Sequence, residues 1–331
     1  PPGAAAAGFS AAEWDGALAR ALSAMGRHNE ALLRLAAIPE GSSDADLRQL
    51  RIETLIVTGQ IELAKAELEL VRNQPNLRLA GTALDLALEQ WGAAEILSLL
   101  DRRAKEDRPG ETCEMRLACL LLLGRTSDAA AMVDLDHHIS ETMLAPPPDW
   151  EQARFIEALR TDTAQLEGFE RDPAHYSTVG GQQSFCEPSN SPVAMNALVD
   201  QFRYAVERYW EALPADDPIR AGRPDNPDLD VWAVALDRSG YHRHHIHAGA
   251  WLSGVYYLAS TQAGHDAGAL RIGLPRYKSE TMPWNIRSIV PKPGKLVLFP
   301  SFLRHDTLPH PADQPRVSIS FDVVPSPVQA G

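Results

Sequence analysis

The stretch that decides the reading is His244-His245-Ile246-His247, with His305 in a later segment and Arg316 eleven residues beyond it. On an extended segment, residues two apart point to the same face, so His245 and His247 present their imidazoles together. His305 follows the turn Pro300-Ser301-Phe302-Leu303, directly after an apolar run that reads as a strand. Two close ligands and a distant third on adjoining strands make one face of an octahedron and leave coordination positions open. His242 and His244 have the opposite parity, which places them at the surface or behind the ligands. A lone strand histidine is more often a hydrogen-bonded core residue, and a histidine run can be a solvated tract. Three imidazoles and a guanidinium in this order argue instead for a metal site with an acid-binding group beside it.

Around that stretch the chain runs in short β-branched and aromatic segments separated by Gly and Pro. Strands are expected over 231–236, 251–258, 269–274, 295–299 and 316–323. Antiparallel strands at this spacing suggest a sandwich or barrel such as the jelly roll. Upstream, 150–167 and 193–213 carry apolar residues at helical spacing. Residues 175–184 are polar with a glycine pair but lack the spacing of a phosphate-binding loop, so they read as a structural or pocket-lining loop. Residues 216–228, rich in Pro and Asp, read as a surface loop. Loop 278–285, with Trp284 and Asn285, is a candidate lid, and Asp306 and His310 flank the expected mouth.

The first part of the chain has a different texture. Apolar residues recur at helical spacing from Trp14, and glycines recur at Gly26, Gly59, Gly92 and Gly124, spaced 33, 33 and 32 residues apart. A helix start follows each one. A glycine between two short helices allows a tight turn at positive φ, and a period near 34 with this layout resembles the tetratricopeptide repeat. The aromatic and proline positions of that consensus are mostly absent here. Such a solenoid offers a surface for a protein partner or for self-association. The proline run Pro146-Pro147-Pro148 then marks a boundary.

Residues 229–325 resemble the Fe(II)/2-oxoglutarate-dependent dioxygenase superfamily of the prolyl-hydroxylase-like kind, and segments from about 155 resemble a related bacterial oxygenase family. The resemblance is carried by His245-Ile246-His247, Gly254-Val255-Tyr256-Tyr257-Leu258, Gly268-Ala269-Leu270-Arg271-Ile272, Pro293 to Pro300, His305, and Arg316-Val317-Ser318-Ile319. Together with the helical repeat it implies an α+β chain: a helical-repeat domain over 9–140, then a double-stranded β-helix (jelly-roll) oxygenase domain over 150–325, supporting helices included. It further implies an oxidoreductase using Fe(II), O2 and the co-substrate 2-oxoglutarate, which becomes succinate and carbon dioxide while an unactivated carbon is hydroxylated. His245, His247 and His305 would hold the metal. Arg316 would hold the distal carboxylate of 2-oxoglutarate with help from Tyr257, while Leu270 and Ser318 line its pocket. The superfamily keeps an acid where this chain has His247, so the site is either a three-imidazole variant or takes an acid from Asp306 or Asp266.

With a helical domain alongside, a peptide or protein side chain is the expected substrate, and a small molecule stays open. Desaturation or cyclisation would use the same residues. A catalytically inactive metal-binding scaffold whose repeats bind a partner is the alternative from another class. The net charge of −13 argues against nucleic acid and anionic membranes as partners. No apolar run approaches the ~20 residues that span a bilayer. Pro1 to Gly8 has no charged leader, so no signal peptide is expected. Three dispersed cysteines, Cys113, Cys119 and Cys186, do not make a disulfide framework and suit a reducing cytoplasm.

Overall fold

The computed structural model describes residues 11–37, 44–74, 79, 81–102, 109–173, 176–185, 193–260, 266–277, 284–309 and 315–326. Described residues up to Gly124 form one compact unit, apart from Pro109 and Gly110, and those from Arg125 onward form a second. The first is helical: α1 (Ala11–Ala24), α2 (His28–Ala36), α3 (Ala45–Val57), α4 (Ile61–Val71), α5 (Gly81–Trp91), α6 (Ala93–Asp101) and α7 (Pro109–Leu122). Asp44 caps α3, its carboxylate accepting from the backbone N–H groups of Asp46 and Leu47. The helices bury their apolar stripes on one another; Ala19, Leu35 and Leu47 form a cluster flanked by Leu32 and Leu50. The recurring glycines all sit in the turns after alternate helices, at φ of 72°, 76°, 78° and 68° for Gly26, Gly59, Gly92 and Gly124. Space is open around each, so the left-handed backbone alone selects glycine there.

The second unit begins with α8 (Thr126–Met132), α9 (Leu135–His138), β1 (Ser140–Met143), α10 (Gln152–Ala164), β2 (Glu170–Arg171) and β3 (Thr178–Phe185). It continues with α11 (Val193–Ala212), α12 (Pro218–Ala221), β4 (Pro227–His242), β5 (Leu252–Ala259), β6 (Leu270–Ile272), β7 (Arg287–Ile289), β8 (Lys295–Pro300), β9 (His305–Thr307) and β10 (Arg316–Pro325). Seven strands form one sheet in the order β1-β8-β5-β10-β4-β3-β2, and β7-β6-β9 form another. Every pairing is antiparallel. The chain is thus α+β, with the five expected strands present as β4, β5, β6, β8 and β10.

β10 shows how the sheet sorts its residues by the period of two. Ile319, Phe321 and Val323 are buried on one face, where Phe321 stacks on Phe202 of α11 at 4.4 Å between ring centres. Arg316, Ser318, Ser320 and Asp322 alternate with them and line a cavity on the other face. Gly254 in β5 is required by the same packing, because a Cβ there would run into the Phe321 ring.

Two stretches differ from expectation. The polar run around Gly180-Gly181 is a strand, β3, not a loop: it pairs with β4 along its length, with a register break between Val179 and Gly181. Gly180 at φ 65° and the close approach of Gly181 to the Ala235 carbonyl explain why glycines stand where β-branched residues would announce a strand. Stretch 216–228 holds the short helix α12, capped by Asp217, and the start of β4. Among the described residues no helix is long and apolar enough to cross a membrane.

Candidate metal and acid-binding site

β4 ends at His242, and the segment that follows crosses to β5 at the cavity edge. Backbone hydrogen bonds pin it: Arg243 N–H to the Ser177 carbonyl at 2.7 Å, His247 N–H to the Ser301 carbonyl at 3.1 Å, and a reciprocal pair at 3.0 Å between His245 and His305. His245 and His247 are thereby presented to His305 at the start of β9. Ring centres lie 4.2 Å apart for His245 and His305, and 5.0 Å for His247 with each of the others. One nitrogen from each of the three rings lies within 4.8 Å of the others, close enough to hold one metal ion.

The outward nitrogens fix how the rings point. His245 Nδ1 lies 2.6 Å from the Arg243 carbonyl, and His305 Nδ1 lies 2.9 Å from the Leu303 carbonyl. Both Asp322 carboxylate oxygens lie 2.7 Å from His247 Nδ1. With each Nδ1–H given to an oxygen, the Nε2 lone pairs are turned inward, which is how metal-binding imidazoles are oriented. The Nε2 atoms of His245 and His247 face each other at 3.1 Å. Two acceptors at that separation repel unless a proton or a cation lies between them.

The electrostatics agree. Burial, with His247 beside it, brings His245 down to about 3, and burial with its two partners holds His305 well below the ordinary imidazole value. Both rings are neutral and available as ligands. Burial also works to lower His247, but the Asp322 carboxylate outweighs it and raises the value.

Arg316 begins β10 on the same cavity face and is only 2% exposed. Its Nε and Nη1 make no hydrogen bond, and its guanidinium lies over the Tyr257 ring at 5.1 Å. The Tyr257 hydroxyl is also buried without a partner, and burial raises its pKa, so it remains a proton donor. A buried cation and hydroxyl without acceptors are costly unless an acidic ligand completes them. The donor set fits a carboxylate.

Arg316, Leu270, Ser318 and the three histidines border one cavity of about 580 Å³. Tyr257 lies behind Arg316, outside the lining. His242 lines the cavity, hydrogen-bonded to Ser177 Oγ at 3.1 Å. The same hydroxyl lies 3.1 Å from His245 Nε2. His244 sits exposed at the rim. Asp306 is held by Arg271 through two bonds of 2.8 and 2.6 Å, so it is committed elsewhere, and Asp266 is not part of the histidine cluster. Trp284 donates its indole N–H to the Gly273 carbonyl at 2.7 Å; 278–283 of the candidate lid, His310 and Cys186 lie outside the described residues.

Asp322, with Asp230 and Ser253 near it, escaped the sequence reading, while Ser177 was covered only by the expectation of a structural or pocket-lining loop over 175–184. Asp322 belongs to no motif, but its even spacing from Arg316 along one strand places both on the cavity face. Ser177 carries no signal of its own.

Three imidazoles close enough to hold one metal ion and a buried guanidinium with two unpartnered nitrogens thus share one cavity. The family model described as "Putative 2OG-Fe(II) oxygenase" matches residues 230–322, the span that carries every one of these groups except Ser177. Over these residues the chain is similar to a family whose description names iron(II) and 2-oxoglutarate. No curated protein matches the chain. Among solved structures, a Pseudomonas putida prolyl-4-hydroxylase is 21% identical at a TM-score of 0.42, over 60% of this chain and 98% of that one. A prolyl hydroxylase from Trichoplax adhaerens, in complex with a hypoxia inducible factor oxygen degradation domain peptide fragment, is 16% identical at 0.41, over 61% and 92%. HygX from Streptomyces hygroscopicus, with nickel and 2-oxoglutarate bound, is 12% identical at 0.39, over 58% and 85%.

Proposed function

We propose that the chain hydroxylates an unactivated C–H bond, on a peptide or protein side chain, at a metal held by His245, His247 and His305. In this reading the second unit is a double-stranded β-helix and the first a tetratricopeptide-like solenoid. The division expected from the sequence, 9–140 and 150–325, lies later than the boundary of the compact units at Gly124–Arg125, so that α8, α9 and β1 group with the second. Bound iron supplies the oxidation of 2-oxoglutarate by O2 to succinate and carbon dioxide, coupled to oxidation of the substrate.

The protein's own residues bind and orient. Arg316 donates charge-assisted hydrogen bonds to the distal carboxylate of 2-oxoglutarate, and Tyr257 adds its hydroxyl. Leu270 and Ser318 wall the co-substrate against water. The carbonyls of Arg243 and Leu303 and the Asp322 carboxylate keep the three Nε2 atoms aimed at one point. The helical unit offers a surface for the macromolecule bearing the target side chain, or for self-association. Cys113 and Cys119 are free thiols, pushed up to about 11 and about 12 by burial, which suits a reducing cytoplasm.

The observation that carries this reading is the buried Arg316 guanidinium, left with two unpartnered nitrogens on the wall that the imidazoles share. The test is succinate formation from 2-oxoglutarate with added Fe(II), in the wild type and in Arg316→Ala. Turnover in the first and none in the second is expected. A wild type that binds neither Fe(II) nor 2-oxoglutarate would end the enzyme reading.

A further inference from the structure

The three imidazoles are alike toward the metal and unlike behind it. His245 and His305 give Nδ1–H to neutral backbone carbonyls, whereas His247 gives it to a carboxylate. His247 also stands at the position where the family resemblance carries an acid. A set of three neutral ligands leaves the metal one negative charge short of a set with two imidazoles and a carboxylate.

We propose that Asp322 supplies that missing charge through His247, making it the positioning residue that lets a three-imidazole site hold the metal. The inference rests on the reading of the triad as the iron site. A carboxylate that accepts a ligand's N–H draws the ring toward imidazolate and raises the basicity of the metal-facing nitrogen. The effect is strongest where water is scarce, and here the side chains of His247 and Asp322 are 17% and 13% exposed.

The arrangement is held from both sides. Asp322 on β10 stands opposite Ser253 on β5, and Ser253 Oγ donates to it at 2.6 Å. Ser253 Oγ also lies 2.9 Å from Ser301 Oγ, and the Ser301 carbonyl accepts the His247 backbone N–H at 3.1 Å. These contacts form a closed ring running His247, Asp322, Ser253, Ser301 and back to His247. The carboxylate and the imidazole are therefore fixed to the same two strands and the same turn. Asp230, opposite Asp322 on β4, brings a second carboxylate to the cavity wall and serves as a control for charge without the hydrogen bond.

The test is an anaerobic Co(II) titration, read by the visible absorption of the bound ion, in a double-mutant cycle. Asp322→Asn is expected to weaken Co(II) binding by roughly 10- to 100-fold and to shift the visible bands. In a His247→Asp background the ligand carries its own charge, and there Asp322→Asn is expected to change affinity by less than about threefold; Asp230→Asn is expected to do as little in the wild type. Equal loss in both backgrounds would mean a merely structural role and would overturn the proposal, as would an unchanged affinity in Asp322→Asn. Should Asp322→Asn not fold, Ser253→Ala takes its place in the cycle, with several-fold weakening expected only where His247 is present; equal effects in both backgrounds overturn the inference. A wild type that binds no Co(II) removes the iron-site reading and this inference together, whereas a wild type that binds and variants that do not differ remove the inference alone.

Discussion

The cavity face of β10 carries two charged side chains, Arg316 at one end and Asp322 toward the other, and their surroundings are opposite. Asp322 is surrounded by donors from its own chain: His247 Nδ1 and Ser253 Oγ. Arg316 is just as firmly enclosed, yet two of its nitrogens and the neighbouring Tyr257 hydroxyl meet no acceptor. A fold that leaves a buried cation unpaired accepts a free-energy cost that a paired carboxylate does not incur. The difference separates two jobs. The satisfied end orients a protein side chain, and the unsatisfied end is made for a ligand that the chain does not contain.

Substitutions at the two ends should therefore fail differently. The largest effect is expected from His305→Ala, which removes a ligand held between two others: stoichiometric Fe(II) binding, measured by anaerobic titration, should be lost. Retained stoichiometric binding would place the metal elsewhere. Next comes Arg316→Ala. Truncating one partner of a buried charge pair costs about 2–5 kcal/mol, so 2-oxoglutarate affinity in the metal-loaded protein should fall about 30-fold or more by calorimetry. Metal affinity should stay unchanged, and the apo protein should melt no lower than the wild type, since an unpaired buried charge has gone. A parallel loss of metal would erase the distinction between the two ends.

The face of the same sheet packed on α11 sets the scale for a structural change. Gly254→Ala drives a methyl into the Phe321 ring and should cost about 1–3 kcal/mol in urea unfolding. An unaltered midpoint would show that α11 and β10 repack freely. Tyr257→Phe should be the mildest. Losing one hydrogen bond to a bound carboxylate is worth about 1 kcal/mol, a 2-oxoglutarate affinity several-fold weaker, while the apo protein loses a buried hydroxyl that had no partner and should be no less stable.

Much of this was legible in the sequence because it is periodic or clustered. His245, His247, His305 and Arg316 announce themselves by strand parity and order, and the glycine turns of the helical unit by their spacing. What was hidden depends on partners far away in the chain. Asp322 matters only because a strand of fixed parity carries it to His247, 75 residues earlier. Ser177 reaches His245 through a register that the polar sequence of β3 does not signal. β1 is four residues long and largely exposed, so it lacks the apolar alternation by which strands are read; it exists through its pairing with β8. Asp306 looked available as a ligand only while its Arg271 partner, across the β6–β9 pairing, was out of sight.

In the proposed site one metal is held by three imidazoles, with the carboxylate behind them and not among them. X-ray absorption on the Fe(II)-loaded protein, counting imidazole ligands in the wild type and in His247→Ala, tests it most directly. Three imidazoles are expected in the first and two in the second. Two imidazoles and a directly bound carboxylate in the wild type, unchanged when His247 is removed, would contradict it.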